Sequence, residues 1–254
     1  MNDMTHVEDL ELFPMLGDDP VVRFDTLLER KSRDRSLGKR ERTRFLVMSS
    51  VARQLLDNPA KRPAIEVVLE ETGLSRGTFY NCFADVDVCV VSLLSAFFRA
   101  LWRRRTFRST PRSGESESDP VYEANLWYCV AYQTNAGLFA AFSQVAMNHP
   151  ELLRMREQMN AEWVERVLAA SVRRRGRPFE NKEKTSYKGA LRLLIAMTIE
   201  ALRERNVHRD PMLLKSFPDV ESLAKGLTAM WNRTISEYVN GAAVRLHRPR
   251  QTNY

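Results

Sequence analysis

Apolar residues recur at spacings of three and four along most of the chain, which is the period of an amphipathic α-helix. The first clear stripe includes Phe45, Met48 and Leu55, which share one helical face. A proline at position 59 interrupts the stripe, because the residue before a proline disfavours helical backbone. The pattern therefore predicts a helix over 39–57.

The same period continues towards the C-terminus, interrupted by turn residues. Gly73 is suited to end a short helix that begins near Pro63, and Ser75 is suited to cap the next one. Asp85 or Asp87 opens a longer helix that runs into the arginines at 103–105. Further helices are predicted over about 120–135, 137–147, 150–174, 183–205 and 220–240.

Segments without helical period complete this organisation. Residues 1–38 are predicted to be an extension, acidic at first and of mixed charge later, either disordered or docked as a short helix. Residues 106–119 are polar and serine-rich, which predicts a loop. No stretch shows convincing period-two alternation, and Gly 10 and Pro 11 are few for 254 residues. These observations predict an all-α fold.

Charge is distributed unevenly along the chain. The formal net charge is +7, yet residues 1–22 hold six acidic residues and no lysine or arginine. Without those six negative charges, the rest of the chain carries +13. Such a basic body favours a polyanionic partner, most simply nucleic acid. The alternative is an ordinary soluble surface rich in arginine.

Other features narrow the class of protein. No apolar run approaches the ~20 residues that cross a membrane, and no secretory signal begins the chain, so we expect no membrane partner and a cytoplasmic location. The three cysteines form no CxxC pair, which fits a reducing compartment. The four histidines lack metal-ligand spacing, and no phosphate-loop or nucleophile motif occurs. We therefore expect no metal, no cofactor and no enzymatic activity.

The most informative stretch is AIEVVLEETGLSRGTFYNCF, residues 64–83. It has the spacing of a helix-turn-helix, in which Val68, Leu74 and Phe79 pack the two helices together. Arg76 is suited to a guanine edge or a phosphate, and Asn81 is suited to an adenine. The residues predicted to contact DNA are Arg40, Arg42, Ser75, Arg76, Gly77, Thr78, Tyr80 and Asn81.

This stretch resembles the signature of TetR-type transcriptional regulators over its GLSRGTFYxxF portion, and the likeness extends over about residues 39–100. The resemblance implies an N-terminal three-helix helix-turn-helix DNA-binding module (39–100), a helical effector-binding and dimerisation domain (101–244) and a basic C-terminal tail (245–254). It also implies that Ser75, Arg76, Gly77 and Thr78 open the recognition helix, and that Tyr80 contacts the DNA backbone.

Three positions depart from the family pattern. Pro63 and Ala64 stand where the family usually has threonine, Leu69 where a small alanine is common, and Val86 where lysine is frequent. Each missing phosphate contact weakens DNA binding. Basic residues at the start of the first helix are placed to compensate, or else only to solvate that helix: Lys39, Arg40, Arg42 and Arg44.

The C-terminal half is rich in aromatic residues and methionine, which either line a pocket for an apolar effector or form ordinary core. The residues predicted to line the pocket are Phe98, Trp102, Trp127, Tyr128, Tyr132, Phe142, Met155, Met159 and Trp163. Polar contacts are expected from some of Asn125, Gln133, Asn135, Ser143 and Gln144.

We expect the last two long helices, about 187–204 and 220–240, to form a twofold interface. The candidate interface residues are Leu194, Thr198, Leu227, Met230 and Ile235. The resulting hypothesis is a homodimeric bacterial repressor that leaves its double-stranded DNA operator when it binds a small hydrophobic or aromatic effector. The alternatives are a DNA-binding adaptor that acts on another protein through the acidic arm at 1–22, and a helical enzyme.

Overall fold

A computed structural model describes residues 22–103 and 119–240. The helices are α1 (Phe24–Ser32), α2 (Lys39–Asp57), α3 (Ile65–Thr72), α4 (Arg76–Cys82), α5 (Val86–Arg103), α6 (Pro120–Thr134), α7 (Ala136–Val145), α8 (Pro150–Arg175), α9 (Asn181–Arg203), α10 (Pro211–Ser216) and α11 (Val220–Val239). A 3₁₀ turn follows α7, and a π-helical turn, Glu204–His208, follows α9. The two described ranges contain no strand, so the predicted all-α fold is confirmed.

The ends of these helices follow the capping chemistry of the sequence. Gly73 adopts the left-handed conformation that ends α3, with φ +68°. Asp85 rather than Asp87 caps α5, because its carboxylate accepts a hydrogen bond from the N–H of Val88 at 2.8 Å. Pro63 lies outside α3, because that helix begins at Ile65.

Of the two alternatives for the extension, the structure has the docked short helix in its second half. Residues Phe24–Ser32 form α1, and Phe24, Leu27 and Leu28 are buried against α2. These three residues follow the i, i+3, i+4 spacing of a core-facing stripe, which was the signal available in the sequence. The acidic segment 1–21, most of the predicted loop and the basic tail lie outside the described residues.

Arg53 of α2 connects the N-terminal helices by charge. Its guanidinium lies 2.8 Å from the Glu71 carboxylate of α3, 3.5 Å from Glu29 of α1 and 3.7 Å from Asp25 of α1. Asp25 is almost completely buried and also accepts a hydrogen bond from Arg23 at 3.1 Å. A buried carboxylate needs such partners, so α1 is fixed to the module that contains α2 and α3.

One continuous hydrophobic core includes residues of the N-terminal helices and of the C-terminal half. Its buried residues come from α1 and α2 through α7 and include Leu202 and Leu223 further on. The N–H of Phe24 donates a 2.8 Å hydrogen bond to the fully buried Asn135 side chain at the α6–α7 junction. α7 begins directly against the end of α2, because a Cβ atom on Gly137 would lie 2.5 Å from the Leu55 carbonyl oxygen.

A second, smaller core lies between α8, α9 and α11. Tyr187 is fully buried there and shares a 2.7 Å hydrogen bond with Ser171 of α8. Trp231 of α11 donates its indole N–H to Thr198 of α9 at 3.0 Å. These side-chain bonds fix the relative placement of three helices that together enclose one side of a cavity.

Candidate nucleic-acid interface and core cavity

The turn between α3 and α4 is built from local hydrogen bonds. The N–H of Gly73 donates to the carbonyl of Leu69 at 2.9 Å, and Thr72 donates its hydroxyl to Val68 at 2.6 Å. Ser75 begins α4 by accepting a hydrogen bond from the N–H of Thr78 at 3.2 Å, as the sequence predicted. The two short helices therefore meet in a fixed geometry.

The polar residues of α4 lie together on its outer side. Arg76, Gly77, Tyr80 and Asn81 are exposed, Ser75 is exposed at the cap, and Thr78 is half-buried. Phe79 and Val68 are completely buried between the helices. The predicted division of α4 into a packing side and a solvent side is thus what the structure has. Tyr80 is 49% exposed, and its ring lies edge-on to that of Phe79 with the ring centres 5.5 Å apart.

Arg76 is held by an acidic neighbour. Its guanidinium donates a 2.8 Å hydrogen bond to the Glu66 carboxylate of α3, and both side chains are well exposed. A hydrogen bond from its own backbone N–H, and then the one from Arg76, hold the pKa of Glu66 below its usual value. This bond uses Nη2 of the guanidinium, and the group has further N–H donors.

The basic residues at the start of α2 divide into two groups. Lys39 and Arg40 are exposed and Arg42 is half-buried, so they remain accessible beside α4. Arg44 instead donates a 2.7 Å hydrogen bond to the carbonyl of Cys82, and its guanidinium lies 4.4 Å from the centre of the Phe83 ring. Arg44 therefore fixes the end of α4 to α2, and its role in compensating for missing phosphate contacts stays a prediction.

The residues that replace the expected lysine near α5 have structural roles. Val86 is completely buried. Asp87 pairs with Arg62 through two hydrogen bonds of 2.8 and 2.9 Å, and these hold the pKa of Asp87 below its usual value. Asp85 and Asp87 thus each accept hydrogen bonds within the protein.

A cavity of about 340 Å³ lies between α5, α6, α7, α8, α9 and α11. Aromatic rings form its interior, and the ring centres of Tyr132 and Phe139 stack 4.1 Å apart. Six of the predicted pocket residues line it: Phe98, Tyr128, Tyr132, Phe142, Met159 and Trp163. This volume is at the lower end of the range for small-molecule sites.

Three predicted pocket residues lie elsewhere. The guanidinium of Arg166 stacks 4.5 Å from the Trp102 ring centre, Trp127 is buried in the main core, and Met155 packs against that core. All three belong to amphipathic stripes, and a stripe does not reveal which of its residues face a gap between helices.

Sequence reasoning also did not predict that residues of α9 and α11 line the cavity. Ile195, Thr198 and Ile199 of α9 and Trp231 of α11 line the cavity. They follow the aromatic-rich segment by more than thirty residues. Only the packing of the last helices against α6 and α8 brings them to the site.

The polar residues of the cavity are few. Asn125 lines it and donates a 3.0 Å hydrogen bond to Thr228, and Ser143 lines it and donates to Phe139 at 3.1 Å. Gln133, Asn135 and Gln144 do not line it. Arg156, Glu157, Asn160 and Arg192 complete the lining on the α8–α9 side.

Four of the five predicted interface residues are wrong as surface contacts. Leu194, Thr198, Leu227 and Ile235 are each at most 7% exposed because they pack inside the protein. Met230 is 52% exposed, as an interface residue requires, and Leu193 of α9 is 73% exposed. An apolar stripe on a helix that packs on two sides does not reveal which side meets another chain.

Two findings concern other kinds of site. Within the described ranges, no three His, Cys, Asp or Glu side chains are grouped closely enough to hold a metal ion. In the same part of the chain, no single helix is long and apolar enough to cross a membrane. The pair α4 and α5 reaches that length and composition only when both helices are counted together across a 50° bend.

The three cysteines are free and buried. Burial raises the pKa of the Cys82, Cys89 and Cys129 thiols, in the case of Cys129 to about 12. Nearby Arg44 and Arg40 only partly offset this effect at Cys82. Thiolates are the reactive form, so these residues have the character of small apolar side chains.

Comparison with known proteins gives no match: no family model, no curated protein and no solved structure is significantly similar to this chain.

Proposed function

We propose that this protein is a ligand-responsive transcriptional regulator of the TetR type. It binds a near-palindromic DNA operator as a homodimer in the bacterial cytoplasm and represses transcription until an effector binds the core cavity. The observation that carries this proposal is the pair α3–α4, whose exposed side presents Ser75, Arg76, Tyr80 and Asn81 beside the accessible basic residues of α2.

The short α4 suits contact with a DNA groove. Its buried side holds only Phe79 and Cys82, so the remaining side chains lie on the accessible side, where base edges and phosphates would approach. Gly77 carries no side chain, and a Cβ atom there would approach nothing closer than 3.9 Å. The backbone of α4 can therefore come close to a phosphate.

The position of the cavity supports control by an effector. Phe98 of α5 and Phe139 of α7 line it, and α5 follows α4 after only three residues. α7 abuts α2 at Gly137. Occupation of the cavity and binding of DNA would each favour one arrangement of these helices, so each would weaken the other by the same factor.

The twofold interface is assigned to the outer sides of α9 and α11. Leu193 and Met230 are large apolar residues exposed on these two adjacent helices. Burying them against a second copy would remove them from water. Binding to a palindromic operator would require the two α4 helices to lie one DNA turn apart, about 34–36 Å.

Selection from random double-stranded DNA tests the proposal. Purified full-length protein should enrich a near-palindromic site. Arg76→Ala should weaken binding to that site by about 1–3 kcal/mol if Arg76 contacts a base. Tyr80→Phe should weaken binding with little change in sequence preference, because a hydroxyl that contacts the DNA backbone carries no sequence information.

Arg177→Ala, in the α8–α9 loop, is the matched control and should bind as the unaltered protein does. Failure to enrich any site, or enrichment that Arg76→Ala leaves unchanged, would contradict the proposal.

A further inference from the structure

The α8–α9 side of the cavity carries charges that the fold does not use. Arg156 is half-buried and Arg192 is exposed, and both line the cavity. Within the described residues, neither makes an ion pair or a side-chain hydrogen bond. Other arginines of this structure are engaged, as Arg53 is with three carboxylates and Arg205 is with two backbone carbonyls.

The exposure of the lining residues distinguishes a closed end of the cavity from an open end. Its aromatic interior is closed, since Tyr132, Phe139 and Phe142 are all less than 5% exposed. The charged residues are on the open side, where Glu157 and Arg192 are exposed. A bound molecule would therefore place its apolar body inside and its polar end at the arginines.

The sign of that polar end follows from the charges at the opening. Two arginines and one acid, Glu157, line the cavity, which leaves one net positive charge. The interior offers only neutral polar groups such as those of Asn125 and Thr198, so a charged end would not be stabilised there. The planar guanidinium group matches a carboxylate with two parallel hydrogen bonds.

We propose that the cavity binds a small apolar molecule with a single carboxylate, held by Arg156 and Arg192 at the opening while its apolar body lies among the aromatic rings. This rests on the proposed function only in treating the cavity as the effector site. It names the class of effector, an aromatic or aliphatic monocarboxylic acid, and the two residues that select it.

The test compares three probes that share one ring system: 2-naphthoate, 2-naphthylmethanol and 2-naphthylmethylamine. Isothermal titration calorimetry on the full-length protein should show the acid binding about tenfold more tightly than the alcohol, because a charge-assisted hydrogen bond is stronger than a neutral one. The amine should bind most weakly. Raising the salt concentration should reduce the advantage of the acid, since the opening is accessible to solvent.

Variants locate the effect. The double variant Arg156→Gln with Arg192→Gln should bind the acid and the alcohol equally. Arg154→Gln removes the same charge from an exposed position of α8 that does not line the cavity, and it should keep the preference for the acid. Ala124→Phe fills the cavity from α6 and should abolish binding of all three probes.

Each contrary outcome overturns the inference. Equal binding of the three probes would mean that the opening does not select charge, and tighter binding of the amine would mean that Glu157 decides. If none of the three probes bound, the cavity would not be a site for small monocarboxylic acids. None of these results bears on the DNA selection experiment. If that experiment failed while the acid bound as expected, the carboxylate site would stand and the proposed role in transcription would not.

Discussion

Several side chains around the turn already have partners within the protein. The Arg76 guanidinium that the sequence assigned to DNA is paired with Glu66. Arg44, placed by the sequence either to compensate for missing contacts or to solvate α2, is bound to Cys82 and Phe83. The accessible positive charge near α4 therefore depends on pairs that the sequence does not display. In the proposed complex, a residue that does not contact DNA would therefore still change the affinity for it.

Glu66→Gln tests this effect. The change removes a negative charge beside α4 and weakens the hydrogen bond to Arg76, so binding to random-sequence DNA at low salt should tighten by roughly two- to threefold. Fluorescence anisotropy with labelled duplex measures it. Glu221→Gln, at an exposed position of α11, is the control and should have no effect. Weaker binding by Glu66→Gln would mean that the pair holds Arg76 in its binding orientation.

The buried thiols predict a loss of stability in alkali. The pKa of Cys129 is raised by burial from 9.0 to about 12, so the folded state keeps its proton where the unfolded state loses it. Its contribution is complete below pH 9 and decreases as the pH rises from 9 towards 12. Urea unfolding at several pH values should show this decrease, and Cys129→Ala should show a smaller one. Equal pH dependence in both proteins would contradict the assigned burial of the thiol.

At the scale of elements, the contact between α2 and α7 joins the N-terminal helices to the cavity. Gly137 lets the backbones approach, Asn135 beside it binds the N–H of Phe24, and Phe139 one turn later lines the cavity. One short segment thus contacts α1, α2 and the proposed effector site. Changes at its start should affect the placement of all three.

Gly137→Ala should destabilise the protein by about 1–3 kcal/mol. The added Cβ atom would meet three backbone atoms of Leu55 and Leu56 at 2.5–2.7 Å, and backbone cannot rotate away as a side chain can. Gly189→Ala is the matched control, because a Cβ atom there meets nothing within 4 Å and alanine favours the helix. Unchanged urea midpoints for both variants would contradict the close approach of α7 to α2.

At the scale of the whole molecule, the outer α9–α11 side is the surface that we propose for a second copy. The buried residues first assigned to this interface are part of the protein's own core, whereas Leu193 and Met230 remain in solvent. A charged substitution should therefore have different effects at a buried position and at an exposed one.

Leu193→Glu should yield folded monomers, because it places a charge on an exposed apolar surface without disturbing the core. Leu227→Glu should instead unfold the protein, because Leu227 is 4% exposed and a carboxylate there would lack a partner. Analytical ultracentrifugation and circular dichroism measure the two effects. Folded monomers from Leu227→Glu, or folded dimers from Leu193→Glu, would overturn this assignment of the interface.

The sequence by itself determined most of the helices and their ends, because local spacing and capping residues act over a few positions. The stripe through Phe45 and Met48 and the caps at Gly73 and Ser75 required no information from elsewhere. The outward residues of α4 followed in the same way, since a two-turn helix with one buried side leaves the other to solvent. Helix α1 was within reach of the same reasoning.

Only the tertiary structure decided which residues of each stripe meet the cavity, the core or the surface. Trp102 and Trp163 have similar chemistry, yet only Trp163 lines the cavity. Leu194 and Leu193 are neighbours on α9, yet one is buried and the other is exposed. A helix that packs against partners on several sides has a single apolar period in its sequence. The angles between the helices decide which of its apolar residues face the cavity, the core or solvent. Arg156 and Arg192, far apart in the chain, line one cavity for the same reason.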